Sequence, residues 1–122
     1  MNKIKQFFCL VLALIIFDVV SAQNNAIKNQ IFYIVRHAEK DTGSNPAISI
    51  KGMKRAGDLY RVLKNKKIDL IMISQYRRTG MTGDSLRIYK NIDTVYYTAD
   101  TTGESLFKKI KPFDSKAKNI LI

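Results

Sequence analysis

Three groups of residues in this chain have the types and spacing for chemistry. Arg36-His37-Ala38-Glu39 follows the apolar run Ile31 to Val35, and His37 is the only histidine among the 122 residues. Ser74-Gln75-Tyr76-Arg77-Arg78-Thr79 follows a second apolar run, Asp69 to Ile73. Asp100 to Glu104 supplies carboxylates after a third run, Thr94 to Tyr97. A neutral imidazole nitrogen can displace an oxygen from phosphorus and become phosphorylated. The other ring nitrogen must then hold its proton against a fixed acceptor, often a backbone carbonyl. Stabilisation of a phosphoryl group in transfer is mainly positioning and electrostatics. Arg36 and Arg78 offer forked donors for its oxygens. Thr79 and the start of the helix it belongs to offer a hydroxyl and backbone amides.

These groups need a scaffold that brings them to one place. The three runs read as buried strands. Between them lie two helical patterns. Ser49 is the expected N-cap of a helix from Ile50 to Lys64, with Met53, Ala56, Leu59, Tyr60 and Leu63 on its apolar face. A second helix is expected from Arg78 to Tyr89, with Met81, Leu86 and Tyr89 inward; Gly80 and Gly83 lower its intrinsic propensity. A third begins near Thr101-Thr102-Gly103-Glu104, and Pro112 stops it. Asn119 to Ile122 reads as a fourth strand, apolar enough for a sheet interior. Alternating strands and helices imply a mostly parallel sheet covered on both faces, a three-layer α/β/α sandwich. In such a sheet the three chemical groups all fall at strand carboxyl ends, where open α/β sheets bind ligands.

The N-terminal 22 residues read as a signal peptide. Lys3 and Lys5 precede an apolar run from Phe7 to Phe17, and Val20-Ser21-Ala22 supplies a small-residue cleavage pattern. Eleven apolar residues are too few to span a bilayer, so no stable membrane anchor is expected. The reading implies an exported protein, periplasmic or extracellular. Residues 23–30 form a polar lead-in, and the folded part runs from 31 to 122. Cleavage after Ala22 would remove Cys9, the one cysteine, so neither a disulfide nor an ordinary zinc site is expected, and no cofactor. The formal charge of +11 includes a net +1 from Lys3, Lys5 and Asp18, leaving +10 on residues 23–122. That excess favours anionic partners or simply a solvated basic surface. No interleaved aromatic platform of the kind single strands prefer is present, so no specific nucleic-acid partner is expected.

The stretch Val35-Arg36-His37-Ala38-Glu39 resembles the signature of the histidine phosphatase superfamily, whose fold is called phosphoglycerate-mutase-like. Pro46-Ala47-Ile48-Ser49-Ile50-Lys51-Gly52-Met53-Lys54-Arg55-Ala56 resembles the family's entry to its first helix. Ser74-x-x-x-Arg78-Thr79-x-x-Thr82 resembles its second motif, with Gly83 where alanine is usual. The resemblance implies a phosphomonoester hydrolase with His37 as the phosphorylated nucleophile. Arg36 and Arg78, not Arg77, would line the phosphate pocket, with Thr79 beside them. Some family members place a general-acid carboxylate near Glu104. Thr101-x-x-Glu104 is equally the pattern of a capping box, and the local spacing favours the cap; Asp100 is the lesser acid candidate. Glu39 is read as a structural partner of Lys40 or Arg55. The substrate would be a phosphorylated small molecule or a phosphoprotein. The family's second histidine, which follows a later strand, has no counterpart here. The expectation is therefore a domain incomplete at its C-terminus, with activity reduced or lost. Two other functions fit the same residues: a mutase, which an export signal and the lack of lid insertions disfavour, and a non-catalytic module that binds phosphate, another anion or a protein.

Overall fold

The computed structural model describes residues 29–122. The expected signal peptide, and the lead-in up to residue 28, lie outside the described residues. Four strands alternate with three helices: β1 (Ile31–Tyr33), α1 (Ile50–Leu63), β2 (Leu70–Ser74), α2 (Arg77–Lys90), β3 (Asp93–Tyr97), α3 (Glu104–Ile110) and β4 (Asn119–Leu121). The strands form one parallel sheet in the order β1-β4-β2-β3. The expected three-layer architecture is present. No described helix is long and apolar enough to cross a membrane.

The strand periodicity of two sorts the core into two faces. Ile71 and Ile73 of β2 join Leu121, Leu63 and Leu86 under α1 and α2. Leu70 and Met72 point the other way, onto Ile110, Ala117 and Ile120 under α3. All five residues of β2 are buried, as an interior parallel strand requires. β4 is interior too, paired with β1 on one side and β2 on the other. Asp69 lies just before β2 instead of within it. Its Oδ2 accepts from the amides of Lys118 and Asn119, both at 2.9 Å, and so sets where β4 begins.

Ser49 caps α1 as expected: its Oγ accepts from the Gly52 amide at 3.1 Å and donates to the Glu39 carbonyl at 3.2 Å. The inward stripe of α1 runs through Gly52, Ala56 and Leu63. Met53 lies about 100° further round the helix and is exposed, contrary to expectation. Tyr89 is also exposed; it meets Tyr60 ring to ring at 5.2 Å across the outside of α1 and α2. The glycines of α2 serve packing. A Cβ on Gly80 or Gly83 would stand 3.6 Å from Ile73 or Ile71, ordinary contact with the sheet beneath. Residue 30 is not a loose lead-in. Gln30 Nε2 donates to the carbonyls of Ala117 at 2.8 Å and Phe113 at 3.2 Å. After α3 the chain tightens into a 3-10 turn over Lys111–Phe113, where Pro112 ends the helical run.

Candidate active site at the strand carboxyl ends

The carboxyl ends of all four strands surround one cavity of about 200 Å³. His37 enters it after β1, Ser74 from the end of β2, Tyr97 from β3 and Ile122 after β4, while Thr79, Thr82 and Gly83 come from α2. The parallel sheet thus gathers residues that lie 85 positions apart in sequence between His37 and Ile122.

His37 is half-buried, and its Nδ1 lies 2.8 Å from the carbonyl oxygen of Ala38. A carbonyl only accepts, so in the neutral imidazole it is Nδ1 that carries the proton and Nε2 that keeps a lone pair. Ala38 itself is fully buried against Ile48 and Ala56. Its amide donates to Thr82 Oγ1 at 2.9 Å, and that hydroxyl donates to the Arg78 carbonyl at 2.7 Å. Glu39, next along, holds the loop to α1. Its carboxylate meets Arg55 at 2.9 Å, and its carbonyl accepts the Ser49 amide at 2.8 Å.

Arg78 stands in the first turn of α2, half-buried, with its guanidinium 4.2 Å above the ring of Tyr76. Its Nε is buried and has no partner among the described residues. A buried, unsatisfied charged donor is costly and is the kind of group an anion would satisfy. Arg77 is exposed, as expected for a residue outside the pocket, but its amide is used: Asn45 Oδ1 accepts from it at 3.1 Å and caps α2. Tyr76, the N-cap residue, provides no side-chain cap of its own. No local signal marks this cap, because Asn45 reaches it from 32 residues upstream.

Four expectations need correction. Arg78, expected to line the pocket with Arg36, does not wall this cavity. Arg36 is exposed, does not wall the cavity, and makes no hydrogen bond or ion pair among the described residues. Ile34, Val35 and His37 all line the cavity, while the Arg36 side chain between them turns to solvent. Thr79 walls the cavity, but its hydroxyl donates to the Tyr76 carbonyl at 2.7 Å and meets Ser74 Oγ at 3.0 Å. Its one hydrogen is therefore engaged by the backbone and not offered to a ligand. Glu104 is exposed and lines a separate surface depression with Asp100, Lys108 and Lys109.

Nor does Glu104 form the expected capping box with Thr101. The N-cap of α3 is Gly103, at a φ of 73°, and the capping acceptor is Asp100. Asp100 Oδ1 accepts from the hydroxyl and amide of Thr102 at 2.7 and 2.9 Å and from the Gly103 amide at 2.5 Å, while Oδ2 accepts from the Ser105 amide at 3.2 Å. These bonds, the Thr102 hydroxyl foremost, hold the carboxyl below the usual aspartate range. A carboxylate kept ionised in this way is a poor proton donor, which argues against Asp100 as a general acid.

With the geometry in place, the comparison with solved structures is informative. The fold is shared with the SixA proteins. A candidate phosphohistidine phosphatase SixA from Agrobacterium tumefaciens superposes with a TM-score of 0.58 at 19% identity, over 74% of this chain and 65% of its own. A second candidate SixA, from Nakamurella multipartitia, superposes with a TM-score of 0.63 at 16% identity, over 75% of this chain and 56% of its own. This chain therefore spans little more than half to two thirds of the SixA lengths. No protein-family model matches the sequence, and no curated protein matches it. The parallel α/β/α architecture expected from the sequence is the one shared with these structures.

Proposed function

We propose that residues 31–122 are the N-terminal part of a histidine phosphatase domain that hydrolyses a phosphorylated small molecule or phosphoprotein through a phosphohistidine on His37. The observation that carries this reading is the His37 Nδ1 contact with the Ala38 carbonyl, which leaves Nε2 unengaged on a residue that lines the cavity. In the first step the Nε2 lone pair forms a bond to phosphorus, the bond to the leaving oxygen breaks, and that oxygen takes a proton from solvent water. In the second, water attacks phosphorus, the P–N bond breaks, and inorganic phosphate leaves. Arg78 directly precedes the cavity residue Thr79, and its unpaired Nε would serve the phosphoryl oxygens only once its side chain turns toward the cavity. The name of the two SixA neighbours suggests phosphohistidine as one substrate. We also read residues 1–22 as a signal peptide cleaved after Ala22, which puts the protein in the periplasm or outside the cell; N-terminal sequencing of the exported product tests this.

The decisive experiment incubates the chain with a generic aryl phosphate. It measures phosphate release and traps a phosphoenzyme stable to alkali and labile to acid. Both should vanish in His37→Ala. Release that survives this substitution would overturn the assignment.

A second reading, phosphate or anion binding without turnover, draws support from Arg36 outside the cavity and Glu104 in a different depression. Saturable phosphate binding by the unaltered chain, without release from any phosphomonoester, would favour it.

A further inference from the structure

The Ala38 backbone is gripped at both ends. Its carbonyl accepts from His37 Nδ1 at 2.8 Å, and its amide donates to Thr82 Oγ1 at 2.9 Å. Thr82 is buried, and its hydroxyl donates in turn to the Arg78 carbonyl at 2.7 Å. Its one hydrogen and one of its lone pairs are thus both committed within the fold. The Ala38 methyl is enclosed by Ile48 and Ala56, so the residue has no side-chain freedom to compensate if its amide is released.

We infer that Thr82 is a positioning residue: it fixes the backbone of Ala38, and through the Ala38 carbonyl it sets the tautomer of His37. Without the hydroxyl the buried Ala38 amide has no acceptor, and the peptide units on either side of Ala38 turn to find one. That movement takes the carbonyl away from Nδ1. The imidazole then loses the contact that distinguishes its two nitrogens, and the proton distributes between Nδ1 and Nε2. The Thr82 hydroxyl also ties the first turn of α2, which carries Arg78, to the loop that carries His37. The same hydroxyl therefore couples the tautomer of one residue to the placement of the other.

The consequence for turnover rests on the function proposed above, but the tautomer does not. The chain contains a single histidine, so long-range proton–nitrogen NMR of the full chain reports its ring nitrogens without ambiguity. The unaltered protein should show the Nδ1–H form, and its Ala38 amide should exchange more slowly than those of Arg36 and Lys40. Thr82→Val, which keeps the shape and removes the hydroxyl, should give a mixture of tautomers and lower kcat by about tenfold or more with KM little changed. Thr82→Ser, which restores the hydroxyl, should return both to the parent values. A folded Thr82→Val that retains the pure Nδ1–H form overturns the inference. If Thr82→Val does not fold, the unaltered chain still decides: an Nε2–H ring or a rapidly exchanging Ala38 amide overturns it. Tautomers that respond as described in a chain without phosphatase activity would leave the positioning role standing and remove the enzymatic reading.

Discussion

Gly52 packs its backbone against the carbonyl oxygen of Glu39, so closely that a Cβ at this position would overlap that oxygen. The same carbonyl accepts from the amide and the hydroxyl of Ser49, and the Gly52 amide donates to that hydroxyl. The turn that carries His37 and the first turn of α1 therefore share one small polar junction. Gly52→Ala should force the Glu39 carbonyl out of this junction and cost about 1–3 kcal/mol, as overpacking does. Thermal denaturation checks it, at about 4–8 °C per kcal/mol for a domain of this size. Gly57 supplies the control. Nothing lies within 4 Å of a Cβ there, so Gly57→Ala should stabilise α1 by up to about 1 kcal/mol through helix propensity alone.

What was legible in the sequence follows from range. The strands, the helices and the Ser49 cap rest on periods and caps within a few residues, and each appears within one or two positions of its expected bounds. The side on which a residue ends up depends on neighbours far along the chain. Arg36 sits between Val35 and His37, which both line the cavity, yet its own side chain lies outside, and adjacency in sequence does not reveal that. Met53 fits the helical period of α1, but the Gly52 junction decides which stripe faces inward. Thr82 was visible as part of a motif without a role, since its role is a bond to an amide 44 residues away. Thr101 and Glu104 had the spacing of a capping box, yet Asp100 offers two oxygens to the same turn and displaces it.

The cap that Asn45 provides for α2 should be measurable. Asn45 Oδ1 is the acceptor the structure gives the Arg77 amide, and the N-cap residue Tyr76 adds no side-chain bond. Asn45→Ala should destabilise the protein by about 1 kcal/mol, within the range of N-cap losses. Asn45→Asp should retain the acceptor and add favourable charge at the positive end of the helix. Urea denaturation of the three proteins orders them: Ala below the parent, Asp at or above it.

Asp100 predicts a pH dependence of a definite sign. The hydrogen bonds it accepts depress its pKa in the folded protein. A group of this kind contributes stability above its unfolded pKa and loses it as pH falls through the lower folded value. The contribution is therefore complete at neutral pH and disappears at pH values below the ordinary aspartate range. Asp100→Asn keeps one acceptor oxygen and lacks the charge. The difference in melting temperature between parent and Asp100→Asn should be present at pH 7 and shrink steadily in acid. A difference that grows as pH falls would contradict the capping role.

One edge of the sheet lies at β1, the other at β3. The amides of Ile31 and Val35 and the carbonyl of Tyr33 bond toward β4, so the backbone groups of Phe32 and Ile34 face the opposite side, where no further strand stands among the described residues. Ile34 is 78% exposed and Ile31 49%. A strand edge with free backbone groups and apolar side chains is a template for pairing with another chain. Ile34→Lys should therefore suppress concentration-dependent association, read by light scattering, while leaving stability within about 0.5 kcal/mol of the parent, as for most surface substitutions. Ile88→Lys separates edge pairing from general hydrophobicity. Ile88 is 63% exposed but lies on α2, whose backbone groups are satisfied within the helix. Equal suppression by both substitutions would mean that apolar surface alone drives association. Suppression by Ile34→Lys alone would identify the β1 edge as its origin.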